Sequence, residues 1–505
     1  MAEQQSAGQE IIVHNRRQRS ENLLRKWVIT EQLFNLPGLL LFIVIGLVVG
    51  YGIGNYGTSF GGTLIAIGVA IPGVYCIAVY ARFGVVVLLV MAYMLFLLMR
   101  LGVPGPLGTM MDALQLILLL NLLVRQKKNP SWGIFKSPAT IVVLCWIAYN
   151  LVEVANPAAE SRLAWVYTVR TVAMVQLSYF IFMYNIRSVK FIRFLLKLWM
   201  LLALIGALYA FKQEFIGFSD AEEAYLHSDP NIASLLFIAG HWRKFSIFSD
   251  PVAFSYNMVM PCILCVCVMF GKFSGWKKVV CFVLIGVYFL SMLYSGTRGA
   301  NVLLPAALVL FAILNYNKNV LVFSIIAAIF FAILIVIPTG NPTIQRFQTA
   351  FKPNDDDSYK VRKNNQKRIQ PYILTHPMGG GLGATGAWGQ RFAPGSFLAH
   401  FPPDSGYIRV AVENGSIGLI LFCTMVFVFL KTGIDNYYAI RDPELKTYCL
   451  MATLVIFAYN IANFPQEALV QYPSNILFLF FVALVNITRQ LDDEKNRNMA
   501  VAVTV

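Results

Sequence analysis

The chain has 505 residues, of which 58% are hydrophobic, 14% aromatic and only 13% charged, a balance that excludes a water-soluble globular protein. Its net charge of +15 does not point to nucleic acid, because the basic residues are spread through the polar breaks rather than gathered in one folded patch. All eight cysteines fall inside apolar runs, which excludes a disulfide framework.

Residues 1–33 are polar, carry Arg16, Arg17, Arg19, Arg25 and Lys26, and lack the short apolar stretch and small-residue site of a cleaved leader. They read as a cytoplasmic N-terminal segment. From there apolar runs recur, each long enough for a bilayer core that needs roughly 20 helical residues. Such runs are apolar on every side, which excludes the alternating pattern of barrel strands.

The spacing predicts crossings near 34–54, 61–81, 84–99, 107–124, 138–153, 165–186, 191–211, 251–271, 279–295, 299–315, 319–338, 406–430, 446–463 and 468–488. The fold class is therefore all-α, a polytopic transmembrane bundle of about 12–14 helices. Helices 1–11 occupy 34–337 and helices 12–14 occupy 406–488. With the N-terminus inside, the basic breaks 125–136, 187–193, 272–278, 315–319 and 431–446 and the tail 489–505 all fall in the cytoplasm. The opposite face then receives the long segments 212–250 and 338–405. The second of these is the large periplasmic loop and is expected to carry short helices. Long loops are where function concentrates.

Within the eighth crossing Cys262, Cys265 and Cys267 share no helix face and have no acid or histidine beside them, so they read as helix packing rather than a metal site. Asp112, Glu153 and Arg170, near the ends of their helices, are expected to pair with one another. Just before the eighth crossing, Arg243 and Lys244 approach the outer surface, while Asp250 ahead of Pro251 has the pattern of a helix cap. Arg298 stands in Ser295-Gly296-Thr297-Arg298-Gly299 between two apolar runs. A guanidinium there either snorkels to water or grips an anion such as phosphate.

In the large loop, Asp355, Asp356 and Asp357 form an acidic run without the spacing of a calcium loop. Lys360, Arg362, Lys363, Lys367 and Arg368 follow, set among Ile369, Tyr372 and Ile373, as in an amphipathic helix whose cations face headgroups or a phosphorylated ligand. Gly381, Gly383 and Gly386 spell a literal G-x-G-x-x-G, but no strand precedes them, so they read as a tight loop and not a dinucleotide site. Asp404 sits where the next helix would begin, as a cap or as a general base, and His400 is a base, an acid or a loop histidine.

Four segments in this order resemble the O-antigen ligase and polymerase family: 243–254, Ser295 to Gly299, 362–383 with His376 and Pro377, and Tyr407 through Gly418. The likeness covers roughly 243–418 and extends to the many-helix architecture beyond it. Ligases of that family present a histidine where this chain has Asp404 followed by Ser405, with His400 nearby but out of register.

The resemblance implies a glycosyltransferase of the bacterial inner membrane, multi-pass with both termini cytoplasmic. Such an enzyme transfers or polymerises polyprenyl-diphosphate-linked glycan onto another glycan or onto the lipid A core. It implies a metal-independent, inverting reaction with no cofactor and no nucleic acid. Arg243, Arg298 and Arg362 would hold the diphosphate, and Asp404 or His400 would take the acceptor proton. A lipid-linked oligosaccharide flippase is the alternative from another class. Against it, a transporter concentrates polar groups near the midplane.

Overall fold

A computed structural model describes residues 58–504, apart from 104, 239 and 352–356, with a few isolated positions before residue 58. The segment 1–33 and, but for isolated positions, the crossing expected at 34–54 lie outside the described residues, as do Asp355 and Asp356. The chain divides into two compact units, Met1–Cys76 and Ile77–Val505, and the site lies wholly in the second.

The second unit is a helical bundle. Eleven helical stretches are long and apolar enough to cross a membrane among the described residues, counting Pro138–Ala155 and the interrupted Arg162–Asn185 as one each, and the shorter Arg298–Leu314 is apolar too. In chain order the elements are α1 (Thr58–Val79), α2 (Ala81–Arg100), α3 (Leu107–Lys128), α4 (Pro138–Val152), α5 (Arg162–Val172), α6 (Leu177–Asn185), α7 (Val189–Phe215), α8 (Asp220–Leu226) and α9 (Pro230–Leu236). A two-residue antiparallel pair, Phe237–Ile238 with His241–Trp242, comes next. It leads to α10 (Pro251–Phe270), α11 (Gly275–Tyr294), α12 (Arg298–Leu314) and α13 (Lys318–Val336). The large loop carries α14 (Pro342–Thr349), α15 (Asp357–Thr375) and α16 (Gly386–Phe392), and the chain ends with α17 (Gly406–Glu413), α18 (Gly415–Ala439), α19 (Pro443–Ala462) and α20 (Ser474–Thr504).

Helices form here because a chain in lipid must satisfy its backbone within each segment. Their starts are written in the sequence. Ser137, Ser188, Asp250, Asn317 and Asp442 each accept a bond from a first-turn amide, and proline follows three of them. Asp250 is the cap expected of it, taking the amides of Val252 and Ala253.

Burial separates centre from periphery. The apolar windows of α10 and α19 are 89% and 83% buried, whereas that of α13 is 6% buried and turns nearly every side chain outward. Cys262 lies against the Met258 carbonyl one turn below it, as helix packing requires. Asp112 meets Arg170 at 3.4 Å. Glu153 does not join them and takes its bond from the Asn156 amide instead.

Three boundaries differ from the sequence reading. The run at 165–186 is broken between α5 and α6 by a tight turn at Met174–Gln176, which hydropathy cannot register because the turn is itself largely apolar. The run at 406–430 is two helices, α17 and α18, parted at Asn414 and Gly415. Gly415 has φ 70°, and a Cβ there would strike the Pro377 carbonyl, so the kink needs glycine. The last helix starts at Ser474 rather than 468 and continues without a break through the stretch read as a separate tail.

Candidate active site

Arg243 is the centre around which the site is built. Its Nε donates to the Ser295 carbonyl at 2.9 Å and its Nη2 to the Thr297 hydroxyl at 2.9 Å. Thr297 in turn donates to the Pro251 carbonyl at 3.1 Å. The Ser295–Gly299 segment therefore wraps the guanidinium and fixes it against the start of α10. Gly296 makes the wrap possible, with φ 58° and the Arg346 side chain where a Cβ would sit.

Arg243 faces two cavities. One, of about 240 Å³, also contains Arg298 at the first position of α12 and Arg346 of α14, whose Nε donates to the Gly296 carbonyl. Burial, followed by repulsion from Arg346, lowers the Arg243 guanidinium to about 10, with Asp250 opposing and Arg298 adding to the fall. It stays protonated at neutral pH. An anion among these cations would relieve their repulsion, and guanidinium geometry suits phosphate oxygens.

The other cavity, of about 390 Å³, runs from Arg243 and Asp250 past Tyr256 to Asp404, Glu467 and Gln471. Asp404 does not cap α17. Ser405 occupies that position, and the Asp404 Oδ2 accepts instead from the Asn365 amide of α15 at 3.1 Å. Arg362 stands one turn before Asn365 on α15, the helix whose amide reaches Asp404 at the end of this cavity. The basic helix of the large loop is thereby held against the acidic end of this cavity.

Behind Asp404 lies a buried ion network. Arg409 of α17 bonds Glu413 at 3.2 Å and also Glu467. Glu413 is nearly inaccessible and is held by the Thr385 amide and hydroxyl. Burial pushes the Glu467 carboxyl above its usual range. Arg409 opposes the rise, and the negative charges of Glu413 and Asp404 add to it.

His400 stands elsewhere. It is exposed, with Nε2 2.8 Å from the Pro394 carbonyl, and lines neither cavity. The glycine-rich loop is a backbone clamp. Gly380 and Gly381 donate to the Val412 and Glu413 carbonyls at 2.9 and 3.0 Å, so those amides are already committed and do not cradle a phosphate.

The structure therefore brings Arg243 together with Asp404 in one cavity and with Arg298 in the other, sets Arg362 one turn from the Asn365 that bonds Asp404, and leaves His400 apart. Sequence reasoning missed Arg346, Tyr256, Asn365 and Glu467. Arg346 and Asn365 lie in polar loop helices with no motif around them, and Tyr256 looks like one more aromatic of an apolar run. Glu467 stood only in an outer break between two crossings.

A polytopic helical membrane protein with an arginine-flanked cavity ending in carboxylates is what fold and site define. Residues 279–423 match the family described as O-Antigen ligase. The O-antigen polymerase of Salmonella muenchen is 24% identical over 288 residues, covering 54% of this chain and 69% of that protein. Both matches support the O-antigen ligase and polymerase family for this chain and, with it, a membrane glycosyltransferase of surface polysaccharide biosynthesis.

Proposed function

We propose that the protein polymerises polyprenyl-diphosphate-linked glycan at the non-cytoplasmic face of the bacterial inner membrane, with both termini cytoplasmic. The observation that carries this reading is the single cavity joining Arg243 to Asp404, with Arg298 and Arg346 in the space on the other side of Arg243. Cations on one side suit a leaving diphosphate, and a carboxylate at the far end suits an attacking hydroxyl.

The acceptor hydroxyl attacks the anomeric carbon while its proton passes to Asp404. The bond from that carbon to the diphosphate oxygen breaks, and its electron pair stays on the departing diphosphate, neutralised by Arg243, Arg298 and Arg362. Direct displacement inverts the anomeric centre. Arginines supply the charge neutralisation, so the reaction runs without a metal. A glycan acceptor is favoured over the lipid A core by the likeness to an O-antigen polymerase and by Asp404 standing where ligases carry histidine.

The test is transfer by the purified protein in liposomes, with lipid-linked oligosaccharide as donor and either the same oligosaccharide or lipid A core as acceptor. Elongated lipid-linked glycan, absent with Asp404→Asn and Arg298→Ala, supports the proposal. Product on lipid A core makes the protein a ligase. Movement of labelled donor across the bilayer without any product would sink the transferase mechanism in favour of a flippase.

A further inference from the structure

The hydroxyl of Tyr256 is a buried polar group that the fold leaves unsatisfied. Tyr256 is 1% exposed, its oxygen has no hydrogen-bond partner among the described residues, and it lines the 390 Å³ cavity. Buried hydroxyls almost always find a partner, so one that does not, beside a cavity, is a group waiting for a ligand.

The surroundings say what kind of ligand. Arg243 lines the same cavity, and Asp250 beside it is already engaged by the α10 amides and by Ser249 at 2.7 Å. A neutral donor in a cavity that a guanidinium also lines suits an anionic oxygen. Space is kept for it from behind as well: a Cβ on Gly299 would lie 2.9 Å from the Tyr256 oxygen, so the final glycine of the Ser295–Gly299 segment leaves the hydroxyl its position.

We propose that the Tyr256 hydroxyl donates a hydrogen bond to a diphosphate oxygen of the lipid-linked donor. Resting on the transferase reading above, this adds a neutral donor to the arginines. The bond strengthens as negative charge builds on the departing oxygen, which is how such a donor assists displacement.

The fold does not use this hydroxyl, so removing it separates function from structure. Tyr256→Phe in the full chain is compared with wild type in three measurements: thermal unfolding in detergent, binding of sugar-free polyprenyl diphosphate, and turnover of lipid-linked glycan. The variant is expected to unfold at or above the wild-type temperature, to bind polyprenyl diphosphate about tenfold more weakly and to turn over more slowly by at least that factor. Gly299→Ala, which crowds the hydroxyl, is expected to weaken binding in the tyrosine background and to add nothing in the phenylalanine one.

Equal binding and turnover by Tyr256→Phe and wild type would overturn the proposal. So would a Gly299→Ala effect that persists in full without the hydroxyl. Binding is read independently of transfer. A wild type that binds polyprenyl diphosphate yet transfers nothing therefore sinks the transferase reading, while the binding comparison still decides the role of Tyr256.

Discussion

The Asn365 amide donates to the Asp404 carboxylate across 3.1 Å, joining the basic helix of the large loop to the acid that lines the larger cavity. Asn365 aims Asp404 and also anchors α15, one turn from Arg362. Replacing it with alanine should leave the protein folded, because Asn365 is only partly buried. Turnover should fall by about tenfold, the usual scale for a loosened catalytic group. Initial rates of glycan elongation at saturating donor check this, and Asn365→Asp should not rescue, since it sets a second carboxylate against the first.

Arg346 shares the smaller cavity with Arg243 and Arg298, so it should contribute to holding the donor. Arg346→Ala is expected to raise the KM for lipid-linked donor by about tenfold with a smaller effect on kcat, as the loss of one charged hydrogen bond would. Thr349→Ala, at the edge of the same cavity, serves as the control and should change neither. Steady-state kinetics in liposomes resolve the two cases.

The network behind Asp404 sets a stability requirement. Arg409 neutralises both Glu413 and Glu467, and Glu413 has almost no contact with solvent. Arg409→Ala leaves these carboxylates buried and uncompensated, which should cost about 3 kcal/mol or more. Thermal or denaturant unfolding in detergent measures it, and Glu413→Gln on top of Arg409→Ala should recover part of the loss.

Glu467 gives stability a pH dependence of known sign. Its carboxyl is raised in the folded protein, chiefly by burial, so the fold favours the protonated form. The associated stability is full below the ordinary glutamate value of about 4.3 and is lost as pH rises through the raised value. Glu467→Gln should remove that decline. The difference in melting temperature between variant and wild type should therefore grow with pH above the ordinary carboxylate range and then level off.

Much of the architecture was legible because lipid permits few alternatives. Every apolar run within the described residues became helix, and short helices occupy the large loop. The break at Asn414 and Gly415 was hidden, since it arises from the backbone of Pro377 and Gly379 packing there, a contact between segments far apart in sequence. The site was legible in part for a similar reason. A cation at a membrane boundary is conspicuous, so Arg243 and Arg298 stood out. Asp404 could be read as a cap or a base, and only the structure shows that Ser405 holds the cap position and frees the carboxylate for the cavity. Tyr256 could not be found in sequence at all, because its distinction is a missing partner.

The central claim is that one cavity places the donor diphosphate by Arg243 and the acceptor hydroxyl by Asp404. The most direct measurement is a structure of the protein with a non-transferable analogue of the lipid-linked donor. The account predicts phosphate oxygens within hydrogen-bonding distance of Arg243 and at least one of Arg298 and Arg362, with the anomeric carbon turned towards Asp404. Phosphates bound away from these arginines, or an anomeric carbon facing His400 instead, would contradict it.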